Sequence, residues 1–99
     1  MSEKFSQAEF KKHQNKAFTA KLEDGSSCEL TLAEVTDVKE TEKTKSFSLI
    51  FHGPKEKFLE QKIYRIGNGE YKEEQIFIVP VGESENAFHY QAVFSFLKQ

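Results

Sequence analysis

From Gln75 to Leu97 the chain reads as two hydrophobic strands around a polar break, which leaves little room for anything but a β fold. Ile76-Phe77-Ile78-Val79-Pro80-Val81 stops at Gly82-Glu83-Ser84-Glu85-Asn86, and apolar residues resume at Phe88. In the second arm Phe88, Tyr90, Ala92, Phe94 and Phe96 share one face, while His89, Gln91 and Ser95 share the other. Period-two alternation of this length marks a strand buried on one side. The first arm differs, because Ile76, Ile78 and Pro80 stand opposite Phe77, Val79 and Val81 and both faces are apolar. An N-terminal helix is expected to cover one of those faces, or else a partner does.

That helix has its own local signal. Ser6-Gln7-Ala8-Glu9 is a capping box, and Phe5 with Phe10 has the spacing of a hydrophobic staple. The pattern predicts a short helix from about Gln7 to His13 with one narrow apolar face, suited to plugging a barrel end. Ala17 to Leu22 then alternates, and Cys28, Leu30 and Leu32 repeat the alternation. A two-residue Asp24-Gly25 loop would set Ala20 opposite Glu29, against the pattern. A three-residue Glu23-Asp24-Gly25 loop with Gly25 left-handed pairs Ala20 with Cys28 and Phe18 with Leu30, and is preferred. Beyond Leu32 the apolar parity moves to Val35, which predicts a bulge near Ala33-Glu34.

Asp37 to Lys45 is charged or Thr apart from Val38, and reads as a solvated hairpin tip. Phe47, Leu49 and Phe51 share a face, and Gly53-Pro54 is expected to end their strand. Phe58 and Leu59 anchor a polar connection, and Gln61 to Ile66 is a further strand closed by Gly67-Asn68-Gly69. About six sequential antiparallel strands with short turns predict an all-β domain, a small barrel or sandwich. The expected layout is a tail over 1–4, a capping helix over 5–14 and a β-barrel over 17–97.

A chain of 99 residues holds one domain. Ten Phe and three Tyr with no Trp make ring burial its main driving force. A net charge of −2 argues against a dedicated nucleic-acid binder, whose affinity rests on neutralising phosphates. The single Cys28 suits a reducing compartment. The Met1-Ser2-Glu3-Lys4 start lacks a signal-peptide pattern, and the run from Ile76 to Val81 is too short for a membrane helix. The expectation is a soluble cytoplasmic protein with no membrane partner.

The residues Phe47, Leu49, Phe51, Gly53 and Pro54, then Leu59, Gln61 and Tyr64, stand in a distinctive order. Phe77, Val79, Pro80, Val81 and Gly82 follow, and then Tyr90, Ala92, Val93 and Phe94. The combination resembles a family of small bacterial domains of unknown function, and Leu30-x-Leu32-x-x-Val35 looks like that family's first half. His52 stands where the family pattern has Arg, Lys62 where it has Gly, Asn68 where it has His, and Lys72 where it often has Gly. Gln91 and Ser95 replace a Glu and an Asn. The resemblance implies a compact all-β domain, associated in places with tail-like assemblies, and no assigned catalytic residue.

Chemistry-bearing residues are few. His13, His52 and His89 have no metal-ligand spacing and are expected at the surface or rim, although His52 and His89 would converge if their strands were neighbours. Cys28 shares its face with Leu30 and Leu32 and reads as a buried inert thiol. Tyr64 and Tyr90 are expected to bond turn backbone groups, or else to join His52 and His89 at the rim of a ligand pocket. Lys55, Lys57, Lys62 and Arg65 form the one candidate basic patch. No catalytic, cofactor or metal site is expected. The leading expectation is a non-enzymatic structural or protein-interaction module with a protein partner. Two alternatives are a small-molecule-binding barrel and an OB-like binder of single-stranded nucleic acid.

Overall fold

The structure, a computed structural model, describes residues 10–68 and 73–97, with Phe96 described by its backbone alone. Alternating apolar residues produce seven strands: β1 (Ala17–Lys21), β2 (Ser27–Val35), β3 (Lys39–Glu40), β4 (Thr44–Pro54), β5 (Lys62–Gly67), β6 (Glu74–Glu83) and β7 (Ala87–Leu97). The hydrogen-bonded order is β2-β1-β5-β6-β7-β4-β3, and β2 also pairs with β4. That last pairing closes six antiparallel strands into a barrel and leaves β3 outside it, on the flank of β4. Closure removes the bare edges an open sheet would expose.

The β1–β2 hairpin has the predicted three-residue loop. Phe18 pairs with Leu30 and Ala20 with Cys28, and Gly25 takes φ +90°. The predicted bulge lies between Leu32 and Glu34, so Leu32 faces Phe51 and Val35 faces Leu49 across to β4. Both Leu32 and Val35 thereby point inward. β4 pairs with β7 along its whole length, from Thr44↔Leu97 to Pro54↔Ala87. β6 divides its pairing in series: Glu74 to Ile78 bond β5, while Val79 to Glu83 bond β7 around a shift between Pro80 and Gly82. Pro80 at that irregularity costs no ladder bond that a regular central strand would need.

The interior is filled by side chains. Phe18, Leu30, Leu32, Leu49, Phe51, Ile66, Ile78 and Tyr90 are wholly buried. Phe18 meets Phe51 edge-on at 5.8 Å between ring centres. Packing is tight at Gly53, where a Cβ would lie 2.9 Å from Leu30 Cδ2 and 3.0 Å from Tyr90 Cε2. Leu59 closes one end of the barrel, buried, its amide donating to the Tyr90 hydroxyl at 2.9 Å.

The helix predicted over 5–14 is not found among the described residues. Residues 5–9, with the Ser6–Glu9 capping box and the Phe5 half of the staple, lie outside them. Phe10 and Lys11 have helical geometry, two residues that do not amount to an element, and pass into a turn that runs to Asn15, with the His13 amide on the Phe10 carbonyl at 2.9 Å. Asn15 is left-handed at φ 71° and its amide donates to the Leu32 carbonyl at 2.6 Å, which turns the chain into the sheet. Phe10 is nonetheless fully buried, stacked on Phe94 at 5.5 Å and tilted against Phe47 at 6.1 Å. The described end of the expected plug, Phe10, therefore sits on β4 and β7 rather than over β6. Among the described residues nothing covers the outer face of β6.

Candidate interaction surface and histidine pair

Strand alternation sends every second side chain outward, and on β5, β6 and β7 several of those are large and apolar. Ile63 of β5 pairs with Phe77 of β6. Val79 pairs with Gln91 of β7, and Phe77 and Val93 each lie two residues further along their strands from that pair. Ile63 is 58 % exposed, Phe77 49 % and Val93 60 %. Val81 and Leu97 extend the apolar surface at its margins. A row of this kind across three adjacent strands is uncommon on a surface that faces only water. Beside it runs an open groove of about 520 Å³ whose lining includes Ile63, Tyr64 and Leu22. Two of its cations are paired, Lys62 with Glu23 at 2.7 Å and Lys21 with Glu73 at 3.1 Å, and Arg65 also lines it.

His52 and His89 do converge. They are directly opposed residues of β4 and β7, on the outward side of both strands. Their rings stack at 4.1 Å with 14° between planes. Thr31 stands opposite His52 on the other flank, and Gly82 opposite His89. Ser84, in the β6–β7 turn, places its hydroxyl 3.3 Å from His89 Nε2. Partial burial, and then the neighbouring His89, hold His52 below the usual imidazole range.

Both tyrosine hydroxyls bond backbone groups, and Tyr64 also lines the groove beside Ile63. Tyr64 donates to the Glu60 carbonyl at 2.9 Å, and Tyr90 accepts from Leu59 as described above. Burial raises both phenols above their ordinary range. They do not share a cleft with the histidine pair, because Tyr90 points inward from β7 and His89 outward. Of the basic residues, Lys62 is held by Glu23, and Lys55 by Glu83 at 3.1 Å. The Lys55 ammonium also lies 4.9 Å above the Phe88 ring, which Phe58 meets edge-on at 5.1 Å. Two of the four cations are thus engaged by carboxylates.

Cys28 is buried on the Leu30 face as expected, and burial pushes its thiol up. His13 corrects the expectation of a surface histidine. It is 4 % exposed and meets Phe18 edge-on at 5.9 Å, because the Phe10 turn tucks it under the barrel end. Among the described residues, no group of three or more His, Cys, Asp or Glu side chains could hold a metal ion. No helix among them is long and apolar enough to cross a membrane. The outward apolar row is half legible in the sequence, where β6 is apolar on both faces. Ile63 and Val93 join it only through strand order.

A family model described as Domain of unknown function (DUF6916) matches residues 5–94. No curated protein and no solved structure matches the chain.

Proposed function

This chain belongs to the family described as Domain of unknown function (DUF6916), and we propose that it serves as a non-enzymatic protein-interaction module. It docks the apolar face of a partner protein on the outer surface of β5, β6 and β7. The observation that carries this reading is the outward row Ile63, Phe77 and Val93, each about half exposed or more. Burying such side chains against a partner removes apolar surface from water and drives association. The paired charges beside the row, Lys62 with Glu23 and Lys21 with Glu73, favour an uncharged protein surface over a phosphate backbone. The filled interior favours the same reading over a small-molecule-binding barrel. The sequence resemblance adds a setting, a tail-like assembly in which such a domain is a structural part.

The test uses the full chain as bait in a lysate of its native host, with Phe77→Lys beside the wild type. Because Phe77 is half exposed, the variant should keep the wild-type melting temperature. One stoichiometric protein held by the wild type and lost by F77K, its direct binding then measured with purified components, supports docking through this face. Equal recovery of that protein by F77K, or a co-purifying small molecule in its place, would overturn it.

A further inference from the structure

Across the β4–β7 ladder two imidazole rings lie face to face, an arrangement that takes one proton more readily than two. His52 and His89 are directly opposed on the outward side of their strands. Their ring centres are 4.1 Å apart, with 14° between the planes. Two protons would set two unit charges at about that separation. We propose that the pair is an acid-operated switch. Neutral or singly protonated, it stays stacked and steadies the β6–β7 turn; a second proton parts the rings and loosens that turn.

The surroundings leave the second charge uncompensated by any bonded carboxylate. β2 presents Thr31 beside His52, with Glu29 and Glu34 exposed to either side of it along the strand. β4 presents uncharged Ile50, and Lys55 follows its end. β6 presents Gly82 opposite His89, followed by Glu83 and then Glu85 in the turn. β7 adds only Ala87 and Gln91 to either side of His89. Glu83 is engaged by Lys55 at 3.1 Å, and among the described residues no carboxylate pairs with either ring. Repulsion between unit charges this close weakens uptake of the second proton roughly tenfold or more. Groups coupled so strongly titrate in two steps that belong to the pair. Burial, and then His89, already hold His52 below the usual imidazole range.

Room for movement lies on the β6 side. Gly82 has nothing within 4 Å of where a Cβ would stand, whereas Thr31 fills the matching place beside His52. His89 is therefore the ring that swings away, and its Nε2 leaves the Ser84 hydroxyl, 3.3 Å from it in the stack. Ser84 opens the turn, its amide donating to the Ala87 carbonyl at 2.8 Å. Without the ring contact the turn keeps that bond and the Lys55–Glu83 pair, while the β4–β7 ladder stays in place. Acid also lowers stability, because His52 binds its proton more weakly in the fold than in the unfolded chain. That contribution is complete above about pH 6.5 and is lost as pH falls through the folded value.

The experiment is a proton NMR titration of the full chain from about pH 8 to 4.5, following the Cε1 protons of both rings. Amide-exchange protection of Ser84 and of the β4 core is measured before and after each step. The expected result is two steps at least about one pH unit apart, with Ser84 losing protection after the second while the β4 core keeps its own. In His89→Gln, His52 should titrate in a single step above the pair's second step. In His52→Gln, Ser84 should stay protected in acid, since His89 then has no charged neighbour to leave. Melting curves at neutral pH establish that both variants are folded. Wild-type rings that titrate independently, at the midpoints they have in the single variants, would overturn the switch. So would a Ser84 amide that stays protected through the second step, or one that loses protection equally in His52→Gln.

Discussion

At Gly53 the barrel has no room for one more carbon. The site lies on β4, directly opposite Phe88, where the Leu30 methyl and the Tyr90 ring already close on the backbone. Neither neighbour can withdraw easily. Leu30 is wholly buried, and the Tyr90 ring is pinned by its hydroxyl on the Leu59 amide. Gly53→Ala stiffens the unfolded chain, a gain of about 0.4–1 kcal/mol. Overpacking costs roughly 1–3 kcal/mol and should win. The expected outcome is a net loss of about 1–2 kcal/mol in urea unfolding. A variant as stable as the wild type would mean that the Tyr90 ring is free to shift. From the sequence, Gly53 is legible only as the end of a strand; the ring above it comes from a residue 37 positions later (90 − 53) and leaves no local trace.

Among the elements, the β1–β2 hairpin rests on the conformation of one loop residue. Gly25 is left-handed at φ +90° and open to solvent, with nothing within 4 Å of the place a Cβ would take. Gly25→Ala thus isolates backbone strain from packing. It should cost about 1 kcal/mol, read as a lower urea midpoint with an unchanged slope. No change would mean that the loop adopts another conformation at little cost. This hairpin is legible in the sequence because Phe18, Ala20, Cys28 and Leu30 alternate cleanly and only one loop length keeps all four inside. The bulge after Leu32 is legible for the same reason. The irregularity between Pro80 and Gly82 is not, because a strand apolar on both faces carries no parity to break. The capping box at Ser6–Glu9 lies outside the described residues, and the contact of the Asn15 amide with the Leu32 carbonyl is a tertiary one with no local trace in the sequence. The histidine pair is half legible. Alternation puts His89 on an outward face, and strand order alone puts His52 beside it.

For the whole molecule, the groups sealed in the wall set its response to alkali. Burial raises the Cys28 thiol above its ordinary 9.0 and the Tyr64 and Tyr90 phenols above their ordinary 10.0. In each case the folded protein holds its proton to higher pH than the unfolded chain. Between the two values the native state therefore binds more protons, and stability falls as pH rises. The contribution is fully present below about pH 9 and is lost as pH climbs through the folded values. Urea midpoints should hold steady from about pH 7 to 8.5 and decline from about pH 9 upward, with a shallower decline in Cys28→Ala with Tyr64→Phe. A midpoint that stays flat to about pH 11 would show these groups ionising freely in the folded state.

One strand, β6, meshes with its two neighbours one after the other, first with β5 and then with β7. Removing a single residue at the Pro80–Gly82 irregularity would leave the upstream half in register, with Ile76 and Ile78 still seated inside. The downstream half would keep its partners as well, because Val81 is the extra residue there and without it Pro80 and Gly82 follow one another opposite Tyr90 and His89. The irregularity is thus a seam at which the strand can give up one residue without re-facing either end of the molecule.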